Sequence, residues 1–261
     1  PSSINIQGLK LLVLKSNQIT QRYYALDPES DRLTHTNAQL TAEAVRNLNP
    51  YKGYSLDDIQ CLCCGSTSPD LLFPGHGLMV AGELKLPPCD VVTTAGICIA
   101  GMTALKYACM NIETGSVNNA VATGSELSSS YMRSDFFNLE ADPSSDIKRR
   151  PILAFNADFL RWMLSDGAGA AFLSREPNRD SISLKVEWIE NISYAGELET
   201  CMYAGGVKNE DGSVKGWRQA DSCVQAAREN LMAVKQDTKL LAREIVKTAM
   251  DRALKSVIDK Y

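Results

Sequence analysis

The chain has 261 residues, 44% hydrophobic and 22% charged, an ordinary balance for a packed protein long enough for one large α/β domain or two half-sized ones. Its net charge of −4 argues against a nucleic-acid-binding surface. No apolar run approaches the roughly 18–20 residues of a membrane span, and the Pro1 start carries no basic-then-apolar signal segment, so a soluble, cytoplasmic protein is expected.

In chain order, Ile4–Leu14 reads as a strand-like run interrupted by Gly8. Asn37 is placed to cap a helix whose apolar positions Leu40, Ala44, Val45 and Leu48 follow a 3.6-residue period, ended by Asn49-Pro50. Ile59–Gly65 reads as a core strand. It carries Cys61-Leu-Cys-Cys64, three of the eight cysteines. No second Cys or His pair stands at zinc spacing, so the reading is free buried thiols and no metal. Pro74, Gly75 and Gly77 introduce a short helix through Met79–Lys85, and Pro87-Pro88 break the chain before the next strand.

The stretch from Cys89 to Glu126 is the most informative. It reads as a strand (Asp90–Thr94), a small-residue turn, a helix (about Cys98–Ile112), a stop at Gly115 and a strand (Ala120–Thr123). Strands alternating with helices of this length argue for a parallel sheet of βαβ units, whose chemistry gathers at the carboxyl ends of the strands. Cys98 falls there, where strand passes into helix. A thiol at the first helical turn faces unpaired N–H groups and the positive end of the helix dipole, which favour the nucleophilic thiolate. Ile99, Met102, Leu105, Ala108 and Met110 spread around that helix, which predicts a buried rod with Cys98 at the floor of a pocket. Cys109, well inside the same helix, reads as packing.

Beyond it, Ser128–Pro151 is polar and ends in the basic run Lys148, Arg149 and Arg150. That run is either a solvated loop or an electropositive landing site for an acidic carrier or a phosphopantetheine phosphate. Asp166-Gly-Ala-Gly-Ala-Ala171 contains Gly-x-Gly but lacks a third glycine and leads into a strand. A phosphate turn is therefore excluded in favour of close backbone approach beside the nucleophile helix. Ser181–Ile192 reads as a strand, Glu197–Gly216 as loop, and Asp221–Ile258 as helix with a break near Gln236-Asp237. His35 and His76 read as surface or packing groups.

Several of these segments are collinear with one family. Cys98-Ile-Ala-Gly-Met-Thr-Ala-Leu105 resembles the active-site segment of the type III ketoacyl-acyl-carrier-protein synthases, Cys-Ala-Gly-aromatic-x-x-Ala-Leu, with Ala104-Leu105 at the matching offset. Phe73-Pro74 resembles the family's Phe-Pro, Gly124-Ser125-Glu126 its Gly-Ser-Asp/Glu strand end, Asp166–Ala171 its Gly-Asp-Gly-Ala-Gly-Ala-Ala hairpin, and Ser193-Tyr-Ala-Gly-Glu-Leu198 its Gly-Ser-Tyr-Gly-Glu-Leu. In Asn17–Tyr24, Arg22 fits the second arginine of the family's Gly-Ile-Arg-x-Arg, while Thr20 replaces the first.

The resemblance implies an α/β, thiolase-like layered fold (αβαβα), with residues 1–175 as an N-terminal half carrying the nucleophile and 176–261 as the start of a C-terminal half. Within that expectation the first strand and a C-terminal His/Asn region are missing. It implies an acyl group passed from coenzyme A or an acyl carrier protein to Cys98, then decarboxylative Claisen condensation, with no separate cofactor. Substrate-binding roles are implied for Arg22 and Phe73, and Phe155, Phe159 and Trp162, with Phe136, Phe137 and Leu139, line an acyl tunnel or simply pack. A homodimer is implied, with Phe73 near the partner's pocket. Departures from the housekeeping motif at Thr20, Ile99 and the Ser-rich loop point toward a specialised pathway, such as resorcinol or aryl-polyene formation. Two alternatives stand beside this: a same-fold acyltransferase to a hydroxyl, amine or water, and a non-catalytic partner subunit.

Overall fold

A computed structural model describes residues 6–132, 159–179 and 181–261. Phe136, Phe137, Leu139, the basic run at 148–150 and Phe155 lie outside the described residues. By its contacts the chain divides into two compact units, one of residues 1–22, 130–164 and 192–261, the other of residues 23–129 and 165–191.

In the first unit, the segment read as a strand near the N-terminus is helix α1 (Ile6–Ser16). Its apolar run fits either period, and the strong helix formers Leu and Lys decide it. Gln18, left-handed at φ 55°, closes the end, with the Ile19 N–H donating to the Leu14 carbonyl at 2.9 Å. The stretch Glu197–Gly216, expected as loop, holds a small hairpin of Gly206–Lys208 against Val214–Gly216. The C-terminal helical region is broken earlier than expected. Cys223–Arg228 is helical, Asn230 turns left-handed at φ 51°, and Lys235–Gln236 pairs with Met202–Tyr203 before a helix resumes at Thr238. Asp237 caps that helix through the Leu240 N–H, 2.9 Å, and also holds Lys208 at 2.9 Å.

The second unit carries the sheet. Its strands are β1 (Cys61–Gly65), β2 (Asp90–Thr94), β3 (Asn119–Glu126) and β4 (Gly167–Ser174), in the order β2-β1-β3-β4. The first three run parallel, as the βαβ pattern requires, and β4 adds antiparallel along the whole of β3. Helices α2 (Asn37–Arg46), α3 (His76–Leu84) and α4 (Ala100–Glu113) cover it. Thr36, not Asn37, is the N-cap of α2, in a reciprocal capping box with Gln39. Asp70 completes that terminus, accepting from Asn37 N–H at 2.7 Å and Ala38 N–H at 2.8 Å.

Strand β1 explains the three-layer packing. All five of its residues are buried. Leu62 and Cys64 pack with Ala42 and Val45 of α2 and Val80 and Leu84 of α3, while Cys61 and Cys63 pack with Ala104, Ala108 and Ile112 of α4. Period-two alternation thus sends neighbouring cysteines to opposite faces, and the three thiols do not converge. Burial of Leu62, Val80 and Val121 stabilises the unit by about 1.5–3 kcal/mol each.

Helix α4 does not match the expected buried rod. Ala100, Ala104, Ala108 and Ile112 form its buried face, while Ile99, just ahead of it, and Met102 and Met110 on it are exposed. Small residues face the sheet because the helix lies so close to it. A Cβ on Gly65 would sit 2.4 Å from the Ala100 carbonyl, and one on Gly101 would sit 3.2 Å from the Gly124 Cα. This is the close approach that the sequence reading assigned to Asp166–Ala171, yet Gly167 and Gly169 have open space around them. Ser181–Ile192, expected as a strand, has no regular structure, and Ile182 and Leu184 are almost fully exposed. Its alternation describes a face to be paired, and no strand among the described residues pairs with it.

Candidate active site

Cys98 stands on a strained turn at the carboxyl end of β2. The chain leaves Thr94, passes Gly96 at φ 145° and Ile97 at φ 55°, and makes one 3-10 turn (Ile97–Ile99) before α4 begins at Ala100. A β-branched residue in the left-handed region is a true outlier, which surrounding contacts must hold in place. Thr94 Oγ1 donates to the Ala100 carbonyl at 2.7 Å, and Thr67 Oγ1 donates to the Ile97 carbonyl at 3.3 Å. The outcome is a thiol that is exposed, unlike Cys61, Cys63 and Cys64. It lies at the mouth of α4 rather than at the floor of a pocket.

Two neighbours of this turn escaped the sequence reading. Glu126 ends β3, beside the end of β1, and is half-buried. It accepts from the Thr67 N–H at 3.3 Å and from the Ser68 hydroxyl. Burial pushes its carboxyl above the usual carboxylate range, while those two donors pull the other way. Thr67 links it to the turn that carries Cys98. The strand-end motif Gly124-Ser125-Glu126 was the only signal in the sequence, and it gave Glu126 no role.

The histidines are not part of this site. His76 is fully buried, its Nε2 between Thr41 Oγ1 at 3.2 Å and Ser125 Oγ at 3.1 Å. Burial pushes its pKa down, opposed by the charge of Asp70. His35 is exposed, its Nδ1 2.9 Å from Thr34 Oγ1. The buried thiols are equally removed from chemistry: burial pushes Cys64 up to about 12, and Cys61 and Cys63 share a contact of 3.4 Å.

Of the other sequence candidates, Phe73 is exposed, before the cis Phe73-Pro74 bond, among Leu71, Leu72 and Leu78, which are exposed as well. Arg22 and Trp162 come together in the first unit. The Arg22 guanidinium donates twice to the Trp162 carbonyl, at 2.8 and 2.6 Å, and once to the Gln21 carbonyl at 3.0 Å. Trp162 is buried and Phe159 half-buried within helical residues 159–163. Asp166 holds the start of β4, accepting from Ala25 N–H at 2.7 Å, Ser129 N–H at 2.8 Å and Ser129 Oγ at 2.5 Å. No group of three or more metal-ligating side chains occurs among the described residues.

No protein-family model matches the chain. The β-ketoacyl-[acyl-carrier-protein] synthase III of Ehrlichia ruminantium (strain Gardel) is 25% identical over 195 residues, 74% of this chain and 51% of that protein. The enzyme of the same name from Koribacter versatilis (strain Ellin345) is 23% identical over 173 residues, 66% of this chain and 45% of that protein. Over these stretches the chain is similar to type III ketoacyl synthases. It spans about half the length of these curated synthases. Among solved structures, the tetronic acid condensing enzyme AbyA1 superposes with a TM-score of 0.66 at 16% identity, over 100% of this chain and 70% of that one. A Cys-to-Ser variant of Xanthomonas campestris OleA, with bound lauric acid and lauroyl-CoA, gives 0.54 at 18% identity, over 96% and 66%. These likenesses show the fold, a thiolase-like α/β architecture of which the described sheet and its covering helices form part. No helix among the described residues is long and apolar enough to cross a membrane.

Proposed function

We propose that this chain carries the nucleophile of an acyl-thioester condensing enzyme, with Cys98 as the residue that is acylated. The observation behind it is the exposed thiol on a strained strand-to-helix turn, one residue ahead of Ile99 and the amide end of α4. In the first half-reaction the Cys98 thiolate attacks the carbonyl carbon of an acyl-coenzyme A or acyl-carrier-protein thioester. A C–S bond forms, the carbonyl oxygen becomes an oxyanion that the Cys98 N–H can stabilise, and the carrier thiolate leaves. In the second, a carboxylated thioester loses carbon dioxide. Its enolate carbon attacks the acyl-cysteine, and the Cys98 thiolate is released. That step needs donors for the enolate oxygen, and His76, sealed in the core, is out of reach of a substrate. The described residues thus support the acyl-transfer half more directly than the condensing half.

A homodimer belongs to the same reading. Leu71, Leu72, Phe73 and Leu78 present apolar side chains in one short stretch of surface, an arrangement that favours a protein contact. Incubation with acyl-coenzyme A thioesters, followed by digestion and mass spectrometry, tests the proposal. Acylation confined to Cys98 and absent from Cys98→Ala is expected, with carbon dioxide release when a malonyl thioester is added. A chain that acylates at Cys98 but discharges to an alcohol without decarboxylation is a simple acyltransferase. One that takes no acyl group is no enzyme of this type.

A further inference from the structure

The nucleophile turn is held from the side by a contact that the acyl-transfer scheme leaves unused. Ile97 and Cys98 share a peptide that is planar and trans, so the Ile97 carbonyl and the Cys98 N–H are opposite arms of one rigid plate. Whatever fixes the carbonyl fixes the direction of the N–H. The carbonyl accepts from the Ala100 N–H, which closes the 3-10 turn, and from Thr67 Oγ1 at 3.3 Å, the one side chain on it among the described residues. Thr67 is itself exposed, on the loop after β1, between Ser66 and Ser68, both bonded to the Asn37 amide. Glu126 adds a hold on Thr67 itself, accepting from its N–H at 3.3 Å with one carboxylate oxygen and from the Ser68 hydroxyl with the other. Glu126 in turn ends β3, which is registered to β1 through Gly65 and Gly124 and pressed on α4 through Gly101.

We propose that Glu126 and Thr67 are positioning residues that aim the Cys98 N–H at the oxygen of the incoming acyl group. The proposal rests on the acyl-cysteine reading and deepens it. Ile97 stands at φ 55°, a conformation that a β-branched residue leaves when it can. Without the Thr67 hydroxyl the Ala100 N–H alone holds this carbonyl, and the peptide can tilt toward an ordinary backbone geometry, carrying the N–H off its aim. A donor aimed before the reaction stabilises charge as it develops, whereas one that must turn first does not. The carboxylate is suited to its part because it has two acceptor oxygens and no proton to donate, and one residue can take both the Thr67 amide and the Ser68 hydroxyl.

Two reactions of the same sulfur separate aiming from general structure. Attack on p-nitrophenyl acetate forms the C–S bond, puts negative charge on the carbonyl oxygen and expels p-nitrophenolate. Attack on iodoacetamide forms a C–S bond and expels iodide, with no oxyanion. Both rates are measured on the full chain, with Cys98→Ala subtracted for the remaining thiols. Thr67→Val is expected to slow acylation by about tenfold, since a misdirected donor loses part of what a deleted one loses. Alkylation should stay within about twofold, and Thr67→Ser should restore acylation. Glu126→Gln, which keeps one acceptor oxygen, should fall between, about threefold slower. Wild-type acylation with an unaffected Thr67→Val overturns the aiming and leaves the acyl-cysteine reading in place, as does a Thr67→Val that slows both reactions alike. A wild-type Cys98 that is alkylated but never acylated overturns both.

Discussion

Gly65→Ala tests the most demanding contact in the second unit. Gly65 ends β1 under the first turn of α4, and its hypothetical Cβ lies 2.4 Å from both the carbonyl carbon and the oxygen of Ala100, and 2.6 Å from the Gly101 nitrogen. Non-bonded carbons rest about 3.5–4.0 Å apart, so the helix start must retreat by about 1 Å. All three obstructing atoms are backbone, and no side-chain rotamer can relieve them. Overpacking of this kind costs about 1–3 kcal/mol, and the upper end applies where backbone must move. For a chain of this size that corresponds to a fall in Tm of about 6–12 °C. Because the retreating segment carries Cys98, iodoacetamide alkylation and acylation of Cys98 should both change. Gly82→Ala is the control. Gly82 lies in α3 with nothing within 4 Å of its Cβ position, and alanine there should raise stability by about 0.5–1 kcal/mol. Differential scanning calorimetry on both variants decides the matter. A Gly65→Ala protein melting within a degree of wild type refutes the packing account of why glycine stands there.

Native-state alkylation should modify Cys98 and Cys223 first, both exposed, while Cys61, Cys63 and Cys64 resist until the chain unfolds, as peptide mapping after timed iodoacetamide exposure will show. His76 makes stability acid-sensitive. Its folded pKa lies below the ordinary 6.5, so between those values the unfolded chain binds a proton that the folded chain does not. Its contribution is therefore full above pH 6.5 and falls as the pH drops, and urea titrations of His76→Gln should show a flatter decline there than wild type. Glu126 works in the opposite sense: its folded pKa is raised, so the folded chain is the one favoured by protonation as the pH falls toward the ordinary carboxylate value. Asp70→Ala should cost about 1 kcal/mol in urea unfolding by freeing the Asn37 and Ala38 amides at the start of α2, and an unchanged midpoint would refute that capping role.

Local chemistry made part of this protein readable from its residues. The βαβ order, the buried cysteine strand and the place of Cys98 at a strand-to-helix junction follow from short-range signals: turn residues, apolar runs and helix stops act within a few residues of themselves. The errors fall where period alone was ambiguous or where a partner decided the outcome. The run after Ile4 fits helix and strand alike, and Ser181–Ile192 alternates like a strand but has no described strand beside it. The helix after Cys98 looked apolar all round because its small and large residues were weighed alike. In space Ala100, Ala104 and Ala108 meet the sheet, and Met102 and Met110 face away.

Sequence alone therefore singled out Cys98 as the candidate nucleophile and named the elements that flank it. Only the tertiary structure decided that Thr67, on the loop after β1, reaches the peptide in front of that residue while Glu126, at the end of β3, holds Thr67, and that the small residues matter at Gly65, Gly101 and Gly124 rather than at Gly167 and Gly169. The reason is physical. Hydrogen bonds and close backbone approaches between segments some 30 to 60 residues apart depend on strand register and layer spacing, and no local pattern of residues encodes either.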